Sequence, residues 1–135
     1  MNKLILVVLI VLNILNLGCS CNNKPLSDLN INKIKSISIR IHNKGNPQEK
    51  VVMSKKDMLK VFKFLKELQY EKLETQKEIE GWQIWLVFEG WDKDVLFIGD
   101  LVNIRGIYYK INPKRMNDLI KFYENIDVPV QSYPN

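Results

Sequence analysis

The sequence predicts an α+β domain, an antiparallel sheet of about four to six strands with two amphipathic helices packed on one face. Several short runs alternate apolar and polar residues between glycine-rich or polar turns, as half-buried strands do. Two other stretches carry apolar residues at helical spacing. The strand-like runs also follow one another through turns too short for a parallel crossover, so economy of connection makes them antiparallel.

Ile37, Ile39 and Ile41 alternate with Ser36, Ser38, Arg40 and His42, which marks a strand with one buried face. Asn43 to Pro47 is a turn cluster, and Lys50 to Met53 reads as a short returning strand. Ser54 followed by Asp57 resembles a capping box, with Asp in place of the preferred Glu. Met58, Val61, Phe62, Leu65 and Leu68 then keep helical spacing. Tyr70 to Glu80 is charged and without a clear period, and admits either a helix extension or a loop.

Gly81 and Gly90 bracket Trp82 to Glu89, the strongest strand signal in the chain. Trp82, Ile84, Leu86 and Phe88 are expected in the core, with Gln83, Trp85, Val87 and Glu89 on the opposite face. A turn at Trp91 to Asp94 leads into a strand from Asp94 to Gly99, and Gly99-Asp100 and Arg105-Gly106 punctuate strands near Leu101 to Ile104 and Ile107 to Ile111. Asn112 and Pro113 open a last helix whose stripe is Met116, Leu119, Ile120 and Tyr123. Asp127 to Asn135, with two prolines, reads as a trailing tail.

Ahead of this domain, Lys3 precedes an unbroken apolar run from Leu4 to Leu12 that continues, through Asn13 and Asn16, to Leu17. Such a run has the length of a signal-peptide core and falls short of the about 20 apolar residues of a membrane span. Leu15-Asn16-Leu17-Gly18-Cys19 resembles the lipobox of bacterial lipoprotein precursors. Gly18 and Cys19 match its two most informative positions; Asn16 and Leu17 depart from its usual residues. The resemblance implies that Cys19 is the lipid-modified first residue of a mature protein held at the extracytoplasmic face of the cell membrane, its acyl chains anchoring it through buried methylenes. Cys21 is then a spare thiol in the tether or a rival acylation point, since a disulfide across one residue strains the bond's geometry. A metal site would need ligands beyond Cys19, Cys21 and the single, distant His42.

The expected organisation is a signal peptide over 1–18, a lipidated flexible tether over 19–32, one domain over 33–127 and a tail over 128–135. In its succession of strand, helix, Gly-bounded strands, Tyr-Tyr strand and final helix, the mature part resembles small lipoproteins of Gram-positive bacteria whose domains have no assigned function. That likeness implies an envelope location.

The net charge of +5 is concentrated only at Lys55, Lys56, Lys60, Lys63 and Lys66, on the polar side of the first helix, where a solvated face is the expected reading ahead of contact with nucleic acid or anionic lipid, and nucleic acid is not an expected partner. With one histidine and no Gly-x-Ser-x-Gly elbow, no nucleophile and base pair is legible. The glycines at 45, 81, 90, 99 and 106 never assemble into a phosphate loop. Glu89, Asp92, Asp94 and Asp100 lie near hairpin turns, where acids commonly serve the turn itself, and they lack the alternating pattern of a calcium loop. No catalytic residue, metal or cofactor is therefore expected.

The sheet face away from the helices is more informative. Trp85 and Val87 are expected there beside Ser36, Ser38, Arg40, Tyr108 and Lys110, and Trp91 stands in a turn. Rigid rings among polar groups give contact area at low entropic cost. Trp85, Trp91, Tyr108 and Arg40 are the candidate binding residues, unless the tether, the tail or the 70–80 segment covers Trp85. The function expected is a non-enzymatic binding module for an envelope protein, peptide or glycan. The alternatives are a cell-surface inhibitor or immunity protein against a secreted toxin or hydrolase and, behind it, a small hydrolase.

Overall fold

A computed structural model describes residues 24–43 and 45–133, so the leader, Cys19 and Cys21 lie outside the described residues. The strands are β1 (Ser36–Asn43), β2 (Asn46–Val52), β3 (Glu71–Lys72), β4 (Ile84–Glu89), β5 (Asp94–Ile98), β6 (Leu101–Ile104), β7 (Ile107–Lys110) and β8 (Gln131–Ser132). Helix α1 (Lys55–Glu67) follows β2, and α2 (Lys114–Asn125) follows β7. All strands join one antiparallel sheet in the order β3-β7-β6-β5-β4-β1-β2-β8.

The α+β class is as expected, but the sheet has eight strands rather than about four to six. The two extra strands are the two-residue edges β3 and β8, formed in the segments read as ambiguous and as tail. Neither carries an apolar alternation. They form because the outer edges of β7 and β2 offer unpaired backbone groups, a cause that lies in another part of the chain.

Alternation places Ile37, Ile39, Ile84, Leu86, Phe88, Val95, Phe97, Val102 and Ile104 on one face, all buried. Both helices cover that face. Phe62 of α1 meets Phe88 edge-on at 6.2 Å between centroids, and Phe64 lies 6.3 Å from Phe97. Lys50, the register partner of Ile39, reaches the C-terminus of α2, where its Nζ donates to the carbonyls of Tyr123 at 2.7 Å and Ile126 at 3.1 Å. A buried ammonium is tolerated there because it meets the negative end of the helix and satisfies carbonyls that have no partner within the helix.

The helix starts follow the expected chemistry. Ser54 Oγ accepts the Asp57 N–H at 3.2 Å, and Asn112 Oδ1 accepts the Lys114 N–H at 3.1 Å, with Pro113 between. Beyond α1, the Tyr70 hydroxyl donates to the Leu65 carbonyl at 2.6 Å, and burial pushes that phenol well above its ordinary pKa, which keeps it a neutral donor.

β2 begins at Asn46, inside the segment read as a turn, because β1 continues to Asn43 and pairs with it, and three further readings differ from expectation. Leu26, Leu29 and Ile31, read as tether, pack on the core, so the folded unit reaches back before residue 33. A 3₁₀ turn at Ile31–Lys33 passes so close to Gly90 that a Cβ there would sit 2.1 Å from the Lys33 carbonyl oxygen. Gly90 also has a φ of 108°, a second reason for glycine. At the other end, the tail supplies β8 and Tyr133. Trp82 is the third difference: it precedes β4 and lies outside the core, because the chain leaves the strand's alternation at Gly81, whose φ is 88°. No helix among the described residues is long and apolar enough to cross a membrane.

Candidate functional site

On the sheet face opposite the helices, register sets one row of side chains: Glu49, Arg40, Trp85, Leu96, Asn103 and Tyr108 are successive cross-strand neighbours. Their surroundings divide the row in two.

At the Arg40 end the side chains form a continuous stack. The Arg40 guanidinium lies 4.5 Å from the centre of the Trp85 ring and 4.0 Å from that of Tyr133, with its Nε donating to Glu49 Oε1 at 2.9 Å. Trp85 Nε1 donates to Asp94 Oδ2 at 2.8 Å, which fixes the indole. Trp82 tilts against Trp85 at 5.6 Å between centroids, and His42 against Trp82 at 4.2 Å. Trp82, Trp85 and Tyr133 are half-buried and His42 is exposed. Each ring is held by its neighbours before anything binds. Such a surface presents π faces, a cation shared between two of them and a carboxylate at known positions, and contacts made there cost little side-chain entropy.

At the other end, Tyr108 is buried beneath the connection from β3 to β4. Its hydroxyl accepts the Ile79 N–H at 3.0 Å and donates to the Ile79 carbonyl at 3.1 Å. Gln76 completes the closure: its Oε1 accepts the Tyr108 N–H at 2.7 Å and its Nε2 donates to the Tyr108 carbonyl at 3.2 Å, an amide standing in for a neighbouring strand. Tyr108 therefore has the expected face but no free surface.

Trp91 belongs elsewhere. Its ring meets Phe88 edge-on at 5.4 Å and closes one end of the core, while its Nε1 donates to Asp28 at 3.3 Å. Lys93 and Arg105 pair with the same carboxylate. The Lys93 hydrogen bond, helped by Trp91 and Arg105, holds the Asp28 carboxyl below its ordinary pKa. Of the four candidate residues, the structure brings Arg40 and Trp85 together and separates them from Tyr108 and Trp91. Sequence reasoning missed Trp82, Tyr133 and His42 as members of the stack. Gly81 was the local signal for Trp82; Tyr133 had none, since its place depends on β8.

A cleft of about 890 Å³ lies on the helix side, between α2 and strands β1, β2 and β4. Ile41, Ile84, Met116 and Ile120 supply its apolar walls, with His42, Gln83, Asp100 and Asn117 among the polar ones. Tyr123 also lines it, and its hydroxyl is buried with no hydrogen-bond partner among the described residues. Burial, reinforced by the charge of Glu49, raises that phenol's pKa. Among the described residues no group of three or more His, Cys, Asp or Glu side chains is placed to hold a metal ion. The acids near the hairpins have structural partners: Glu89 accepts from Ser36 Oγ at 2.8 Å, Asp94 from Trp85, and Asp92 and Asp100 lie 4.0 Å from Lys93 and Lys110.

No protein-family model matches the chain, and neither a curated protein nor a solved structure matches it.

Proposed function

We propose that this protein is a membrane-anchored extracytoplasmic lipoprotein that works as a non-enzymatic binding module, with the Arg40–Trp85 half of the open sheet face as its contact surface. The observation that carries the reading is the stack of Arg40 between Trp85 and Tyr133, extended by Trp82 and His42, on a face that neither helix covers. A preformed row of rings loses little freedom on binding and suits an extended peptide, a loop of an envelope protein or the faces of sugar rings. Two of the acids near the hairpins, Glu89 and Asp94, accept hydrogen bonds from Ser36 and Trp85, which suits a structural role for them. Membrane anchorage is supported by Gly18-Cys19 after the apolar leader.

The test is crosslinking and affinity recovery from intact membranes with wild type, Cys19→Ser, Arg40→Ala and Trp85→Ala. A partner captured by wild type is expected to be lost from Trp85→Ala and weakened in Arg40→Ala, and lost from Cys19→Ser when the protein is no longer at the membrane. Unchanged capture by both face variants would refute the assigned surface. Stoichiometric recovery of one secreted toxin or hydrolase, with loss of its activity, would make inhibition the purpose of the binding.

A further inference from the structure

We infer that the exposed face of α1 is a second contact surface, which lies against an anionic lipid bilayer. Its inward side is fully used: Met58, Val61, Phe62, Phe64 and Leu65 are buried. At 3.6 residues per turn, Lys55, Lys66, Lys63, Lys56 and Lys60 fall within one outward arc of about 140°, and Leu59 and a single acid, Glu67, fall inside that arc. All five lysines are exposed, and Leu59 is 47% exposed among them. Met53, just before the helix cap, is 72% exposed. Lys60 pairs with Asp57 and Lys63 with Glu67, while Lys55, Lys56 and Lys66 form no ion pair among the described residues.

Lysines alone would suit any polyanion. Leu59 decides between them, because an apolar side chain within a basic face gains nothing from phosphates in water but inserts at the boundary between headgroups and acyl chains, and the exposed Met53 precedes the same helix. Position in the fold agrees. Ile37 pairs with Val52, so Met53 and the first turn of α1 sit at the end of the sheet where residues 28–35 approach the turns at Gly90 and Arg105. The segment expected to lead to the lipid anchor thus enters the domain at the same end of the sheet as the start of this helix. The inference rests on the membrane location proposed above, and the basic face would then set how the tethered domain stands on the surface.

Vesicles of phosphatidylcholine, and of phosphatidylcholine with phosphatidylglycerol in equal parts, are mixed with the full chain, the triple variant Lys55→Gln, Lys56→Gln, Lys63→Gln, and Leu59→Ser. All four positions are exposed, and an unchanged thermal midpoint confirms folding. At low salt the full chain is expected to prefer the anionic vesicles by on the order of tenfold or more, with the preference shrinking as salt rises. The triple variant loses this preference, and Leu59→Ser reduces it by about threefold. Partition into phosphatidylcholine alone reports the N-terminal anchor and is the same for all variants. Equal binding to both vesicles, or a preference kept by the triple variant, overturns the role of α1 while leaving the anchor standing; binding to neither overturns both. Release from anionic vesicles by duplex DNA together with indifference to Leu59→Ser would assign the face to nucleic acid instead.

Discussion

The two faces of this sheet are made by the same strands, residue by residue in alternation, yet they are held by different physics. Toward the helices, Ile37, Ile39, Leu86 and Phe97 have no exposed surface, and their contribution is area removed from water in a close-packed interior. Toward solvent, Arg40, Trp85 and Tyr133 are held by directional contacts: a cation between two rings, an indole hydrogen bond and an ion pair. The first face tolerates no change of volume. The second keeps Trp82, Trp85 and Tyr133 half-buried, with part of each ring open to solvent.

The most severe test of that division is Phe97→Ala. Loss of a fully buried ring should lower unfolding stability by about 3–5 kcal/mol, read as the urea midpoint at an unchanged slope. Gly90→Ala comes next, at about 1–3 kcal/mol, since the methyl meets the Lys33 carbonyl and the residue keeps a positive φ. A normal midpoint for that variant would show that the 3₁₀ turn is not seated on the domain. Trp85→Ala should cost about 2 kcal/mol, from its hydrogen bond to Asp94, the Arg40 contact and the buried part of the ring, while abolishing partner capture. If it instead destabilised as much as Phe97→Ala, the two faces would not differ in kind.

Acid should act at the end of the sheet where Asp28 lies. Asp28 has a carboxyl pKa lowered by Lys93, so its contribution is complete above the ordinary carboxylate pKa of about 3.9 and is lost as pH falls through the lower folded value. Below about pH 4, Asp28→Asn should therefore flatten the fall in stability that wild type shows. Tyr123→Phe gives the smallest effect, within about 0.5 kcal/mol and on the stabilising side, as it removes a buried hydroxyl without a partner. A clear loss of stability would reveal a hydrogen bond at that hydroxyl.

Much of the covered face was legible along the chain. Ile37, Ile39, Ile84, Leu86 and Phe88 kept their assigned direction because alternation is a local property of an extended backbone. Ser54 capped the first helix and Asn112, just before the Pro113 cap, accepted the first amide of the second, because such contacts need only a side chain and the next few amides. The open face was legible in part. Arg40 and Trp85 were assigned to it correctly, yet their contact required the β1–β4 register that places them side by side. Tyr108 was placed on the right face but without its cover, since nothing near it indicates that Gln76 and Ile79 would close over it.

The residue pattern alone settled the α+β class, both helices and the place of the six longer strands apart from the first half of β2, because each follows from periodicity and capping within a few residues. Long-range closure settled the rest: the edge strands β3 and β8, the packing of Leu26 and Leu29, the seat of Lys50 beneath α2, and the joining of Tyr133 and Trp82 to Arg40 and Trp85. In each of these except the contact of Trp82 with Trp85 the partner lies far away in the chain. The energy that fixes the contact exists only once the sheet has closed and brought the two together.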